Sequence, residues 1–144
     1  MRQLNEGATR IFARLLHKLG PQNYAKLKSE GFMPLTIERL DEGIVTDAGA
    51  GQQVSLCHYY EQNGDLCRDP EMCFLVVDNR QQPKDHENLH IYPYYYRQDN
   101  LGLEESSVTF SGNAIENCLK KWQYAHTQFA NSWLQNIRNQ GFLR

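Results

Sequence analysis

Residues 54–77 read VSLCHYYEQNGDLCRDPEMCFLVV. In an extended chain successive side chains point to opposite faces. Val54, Leu56, His58 and Tyr60 therefore share one face, and Ser55, Cys57 and Tyr59 share the other. Asn63-Gly64-Asp65 is a turn signal, because Asn and Gly tolerate positive φ and Asp bonds to its own backbone. Asp69-Pro70 is a second break, since proline donates nothing to a ladder and restrains its predecessor. Glu71–Val77 is apolar on both faces and reads as a central strand. Two strands joined by a short turn predict an antiparallel sheet.

Working towards the N-terminus, residues 46–53 (TDAGAGQQ) hold two glycines flanked by small and polar residues and read as a flexible loop. Leu35, Ile37 and Leu40 mark a weak strand ending at an Asp41-Glu42-Gly43 turn. Residues 3–19 form an amphipathic helix: Leu4, Ala8, Ile11, Phe12, Leu15, Leu16 and Leu19 recur at helical spacing, with Arg10, Arg14 and Lys18 between them. Gly20 closes that helix and Pro21 forbids its continuation. Pro21 also suits the first position of a short second helix through Lys28, anchored by Tyr24 and Leu27 and ended by Gly31.

Working towards the C-terminus, a polar connection, residues 78–88, leads to LHIYPYYYR, residues 89–97. Pro93 there predicts an edge strand or a bulge. Residues 98–102 read as a tight turn and 103–110 as the last strand, with a bulge where the apolar phase slips. Ser111 is read as the N-cap of a helix of about 27 residues, roughly 40 Å long, ended by Gly141. Its stripe is Ile115, Leu119, Trp122, Ala125, His126, Phe129, Trp133 and Ile137. The expected fold is α+β: one domain over residues 1–144, with an antiparallel sheet of about four to five strands. The N-terminal and long C-terminal helices pack on one face of that sheet.

The formal net charge of −2 provides no whole-molecule attraction to nucleic acid or anionic membrane. No run approaches the roughly 18 apolar residues of a membrane span. The first ten residues lack a secretory apolar core. The expected compartment is therefore the cytoplasm, with Cys57, Cys67, Cys73 and Cys118 as reduced thiols. Cys57, His58, Cys67 and Cys73 fall within seventeen residues but show no CxxC or HxxxH spacing.

Three constellations are candidates for function. Glu61, Asn63, Asp65, Asp69 and Glu71 form an acidic hairpin, which reads either as a solvated turn or as a source of oxygen ligands. No metal is expected there; Asp65, Asp69 and Glu71 are the weak candidates for Mg²⁺ or Mn²⁺. Arg97 and Asp99, two apart after a strand, point to the same face; they either pair structurally across the hairpin with Asp65, Asp69 or Glu71, or Arg97 offers a fork to an anion. Six of the eight tyrosines lie in two segments, Tyr59 and Tyr60, then Tyr92, Tyr94, Tyr95 and Tyr96. Such rings serve protein recognition, stack on single-stranded nucleic acid, or cover a core.

The blocks EQNGD…DPEM and YYYRQDNLG, with WLQNIRNQGFL at the end, resemble a bacterial family of unknown function. That family is encoded on conjugative elements, plasmids and phages. The resemblance spans residues 33–143. It maps onto residues 61–65 and 69–72, then Tyr96, Arg97 and Asp99. One departure is Gln98, where Asn is expected after the Arg. The resemblance implies pairing between the strand after DPEM and the one before YR, and it implies no activity. The expected function is a non-enzymatic accessory protein of a mobile element or phage. It would bind another protein, in the inhibitory case one belonging to a host defence system. The binding residues would be Tyr60, Glu61, Asn63, Asp65, Asp69, Glu71, Tyr94, Tyr95, Tyr96, Arg97 and Asp99. No cofactor is expected, and a homodimer through the C-terminal helix is an expected assembly. The alternatives are a metal-dependent enzyme acting on phosphodiesters or nucleotides, and a single-stranded nucleic-acid binder.

Overall fold

The computed structural model describes all 144 residues. Helix α1 spans Glu6–Leu19, three residues shorter than its periodicity predicts, because Asn5 caps it by accepting from Ala8 N–H at 2.9 Å. Leu4 N–H is drawn away instead to Ile91 O at 2.9 Å. Gly20, at φ 61°, closes the helix by donating to Leu16 O.

The sheet has eight strands, not four to five. They are β1 (Tyr24–Leu27), β2 (Leu35–Thr46), β3 (Gly49–Gln62), β4 (Asp65–Asp78), β5 (Leu89–Gln98), β6 (Leu103–Ser106), β7 (Val108–Ser111) and β8 (Ala114–Cys118). Their order is β6-β5-β4-β3-β2-β8-β7, with β1 beside the first half of β2. All pairings are antiparallel except the short β2–β8 contact. The central placement of Glu71–Val77 holds, and β4 pairs with β5 from Glu71↔Arg97 to Asp78↔Leu89.

The extra strands come from segments whose local signals mislead. Residues 21–28 form no helix. Tyr24–Leu27 alternates exposed and half-buried along β2, a period of two over a stretch too short to hold a helix by itself. Asp41-Glu42-Gly43 does not reverse the chain, and the register slips there instead, with Gly43 at φ 77°, so β2 bends and continues. Residues 46–53 are no flexible loop either. They form the tight β2–β3 turn and the start of β3, where a Cβ on Gly51 would come within 2.8 Å of the Leu75 side chain. The bulge that Pro93 signals is present, at Tyr94, on a part of β5 that β6 does not reach.

Helix α2 spans Lys120–Asn139, about 30 Å, rather than starting at Ser111. Residues 108–118 are the β7–β8 hairpin. The predicted last strand, 103–110, splits at Ser107, where the apolar phase slips. β6 and β7 end the strand order at opposite sides and only Ser107 separates them, so the sheet curls until its two ends meet. Ser107 ties that corner, donating its N–H to Tyr94 O at 2.9 Å and accepting from Leu119 N–H at 2.7 Å.

Two cores result. The larger lies between both helices and one sheet face, around Phe12, Leu56, Met72, Phe74 and Leu134. The smaller lies inside the curl, around Ile44, Cys73, Leu75, Tyr94 and Val108. No helix is long and apolar enough to cross a membrane.

Candidate functional site

The β3–β4 hairpin turns on Asn63 (φ 54°) and Gly64 (φ 84°), with Gln62 opposite Asp65. Both central residues take positive φ, the form that follows strand twist. Glu61, Asn63 and Asp65 therefore stand exposed at the tip. Lower down, Asp69 and Pro70 together oppose His58, so β4 carries a bulge at the one place where proline fits it. The bulge separates Asp69 from Glu71. Asp69 acts on His58, Tyr60 and Tyr96, on the helix side. Glu71 faces the other way. Asp65, Asp69 and Glu71 thus occupy three separate surroundings, and no group of three His, Cys, Asp or Glu side chains is placed to hold a metal ion.

On the face away from the helices, Glu71 accepts from Ser55 Oγ at 2.6 Å and lies 3.1 Å from Arg68 Nε. Arg97 Nε donates to Asp99 Oδ1 at 2.7 Å, and its Nη1 lies 3.3 Å from Glu104 Oε2. Asp99 Oδ2 also accepts Arg68 N–H at 2.8 Å, and Tyr95 OH donates to Glu104 at 3.1 Å. The hydrogen bond from Arg97, then that from the Arg68 backbone, holds the Asp99 carboxyl below its ordinary range. Asp99 in turn raises the Arg97 guanidinium. Arg97 thus pairs with Asp99. Its further partner is Glu104, not a carboxylate of the acidic hairpin. Arg68, which the sequence reading passed over, links the two halves; its only sequence signal is a cation among acids.

The tyrosines do not form one band. Tyr94 is buried in the smaller core, edge-on to Phe110 at 5.0 Å, and Tyr92 and Tyr95 pack beside it. Burial first, then the charge of Cys73, pushes the Tyr94 hydroxyl up. Tyr96 alone of the β5 tyrosines faces the helix layer.

There it joins a row of rings. Tyr96 meets Phe129 edge-on at 5.1 Å, Phe129 meets Trp133 at 6.3 Å, and Trp133 meets His58 at 5.9 Å. Phe142 and Phe32 extend the row from His58. The predicted α2 stripe explains why the row stays open. The residues that pack on the core are Gln123, His126, Thr127, Ala130, Trp133, Leu134 and Ile137. That face is turned by roughly a quarter of a circle from Trp122, Ala125 and Phe129, at 100° per residue. Trp122 is 50% exposed, Phe129 41% and Phe32 48%.

The four cysteines are free. Burial, then the charge of Glu71, pushes the thiols of Cys57 and Cys73 up to about 12. Thiolate is the reactive form, so native protein treated with iodoacetamide at pH 8 is expected to label at Cys67 and Cys118 and to spare Cys57 and Cys73. Peptide mass mapping reads this out; equal labelling of all four would contradict the buried placement. Burial likewise lowers His58, whose Nδ1 lies 3.1 Å from the carbonyls of Met33 and Pro34.

No curated protein matches this chain, and no solved structure does. A family model does, over residues 10–143, a span that takes in all of α1 but its first turn, the whole sheet and α2. The chain belongs to the domain-of-unknown-function family DUF6908.

Proposed function

We propose that this domain is a non-enzymatic protein-binding module whose contact surface is the open aromatic row of α2 and the adjoining end of the sheet. The observation that supports this is the unburied Trp122–Ala125–Phe129 face. Half-exposed aromatic rings held by a rigid helix are the usual anchors of protein interfaces. Tyr96 adjoins it through Phe129, Asp69 lies near both Tyr96 and Tyr60, and the exposed tip with Glu61, Asn63 and Asp65 lies further along the same hairpin. An acidic tip beside an apolar row suits a partner with a basic rim around an apolar socket.

The resemblance of EQNGD…DPEM and YRQD to a family of mobile elements supports reading the module as an accessory protein of such an element or of a phage. Its target would be a protein of the element or of the host, a defence protein included. A second copy of this chain is the other occupant that α2 suits. The phosphodiesterase reading gains less support, since its three carboxylates stand apart and Glu71 is engaged by Arg68 and Ser55. Nucleic-acid stacking gains less too, since the tyrosines are divided between two faces and Arg97 is already paired.

The test is affinity capture from host lysate, nuclease-treated, with wild type, the Trp122→Ala/Phe129→Ala double variant, and Tyr24→Ala as an exposed control. Anchor residues of this kind cost about 2 kcal/mol or more on truncation, roughly thirtyfold in affinity. The double variant is expected to lose the captured protein, or self-association in sedimentation, while Tyr24→Ala retains it. A folded double variant that captures the same protein at full yield overturns the reading.

A further inference from the structure

On the side of the molecule where α1 ends, a cleft of about 840 Å³ opens between α1, the β2–β3 ladder and the segment after β4. Its charge is opposite to that of the protein as a whole. Arg14 and Lys18 enter from α1 one turn apart, Arg39 from β2 and Arg80 from the segment after β4. The one carboxylate in the wall, Asp78, is held by both arms of Arg80 at 2.9 and 2.8 Å. Arg14, Lys18 and Arg39 have no side-chain carboxylate within 4.0 Å.

Those three cations are anchored but not saturated. Arg14 donates once, to Leu143 O at 3.0 Å, and Lys18 once, to Arg144 O at 3.3 Å. Arg39 donates to Gln52 Oε1 at 3.1 Å and to Gln22 O. A guanidinium has five N–H donors and an ammonium three, so every one keeps hydrogens for a ligand. The carbonyls of the last turn of α1 oppose an anion, but Gly20 already caps Leu16 O. In the same wall His86 Nδ1 is buried with no hydrogen-bond partner. Only Ala13, Leu16 and Leu143 are apolar, which departs from the apolar lining of sites for uncharged ligands.

We propose that this cleft binds a polyphosphorylated small molecule. Three cations from two elements, none paired with an acidic side chain, surround a volume of nucleotide size, and the imidazoles of His17 and His86 are the only aromatic rings in the wall. Recognition therefore falls on phosphate oxygens, which several positive groups neutralise together, rather than on a stacked base. The site stands apart from the α2 row and does not depend on its role.

Titration calorimetry at low salt with sodium tripolyphosphate and with ATP tests this on wild type, Arg14→Gln, Lys18→Gln and the exposed control Lys120→Gln. Both probes are expected to bind wild type. Each cleft substitution should weaken them about tenfold, the size of one charge-assisted hydrogen bond. Lys120→Gln should leave them unchanged. Arg39 is left intact because it ties β2 to Gln22 and Gln52, and matching melting midpoints confirm that the other variants fold. No heat with wild type at millimolar probe overturns the proposal, as does equal weakening by Lys120→Gln. Binding of a single-stranded oligonucleotide without tripolyphosphate overturns it too, in favour of a nucleic-acid backbone.

Discussion

Replacing Gln123 by leucine is expected to destabilise the protein by about 3 kcal/mol, although it would make α2 more evenly amphipathic. Gln123 is fully buried and joins three segments. Its Oε1 accepts Arg2 N–H at 2.7 Å, and its Nε2 donates to Arg2 O at 2.7 Å and to Pro93 O at 3.1 Å. The amide thus pairs with the Arg2 backbone as a neighbouring strand would, and it satisfies a β5 carbonyl beside the Tyr94 bulge. Leucine fills a similar volume but strands the buried Pro93 carbonyl and the part-buried Arg2 N–H, while Arg2 O keeps Thr127 Oγ1 at 3.3 Å; a main-chain group buried without a partner costs about 1–3 kcal/mol. For a domain of this size the melting midpoint should fall by about 10 °C. A leucine variant as stable as wild type would show that water reaches these groups. Glutamate keeps the acceptor and loses both donors, so it should also destabilise.

The larger loss is expected for Phe74→Ala, about 3–5 kcal/mol. Phe74 lies on the central strand with no exposed surface, edge-on to Phe12 of α1 at 4.9 Å between ring centroids. Its removal opens a cavity that β4, bonded on both sides, cannot collapse to fill. Total stabilities of 5–15 kcal/mol leave such a variant near the threshold of folding. Urea titration should show the midpoint falling with an unchanged slope. A loss under about 1 kcal/mol would mean that the α1–sheet core is not where the rings meet.

The candidate site was legible only in pieces. The Asn63-Gly64 turn and the exposed acids around it follow from local backbone chemistry, and the structure has them where the residue types put them. The split of Asp69 from Glu71, and of Tyr96 from Tyr94, depends on two bulges. A bulge shifts every later side chain to the opposite face, and nothing in residue type says which residue is the extra one. Arg68 and Glu104 escaped notice because the partners that define them lie on other strands. The basic cleft is dispersed over α1, β2 and the segment after β4, so no window of sequence contains it.

From its sequence alone the chain is α+β, with α1 ending at Gly20, a β3–β4 hairpin turning at Asn63-Gly64, and a central β4. Each of these rests on periodicity or turn chemistry within a few residues. The tertiary structure decided that Tyr24–Leu27 and Ala114–Cys118 are strands, that the sheet curls to meet itself at Ser107, and which side of α2 faces the core. Those outcomes depend on edges and faces that other segments supply. A short segment takes the conformation that satisfies its neighbour's open hydrogen bonds. A helix with apolar residues around half its girth buries whichever side fits the sheet, and here that side leaves Trp122 and Phe129 in solvent.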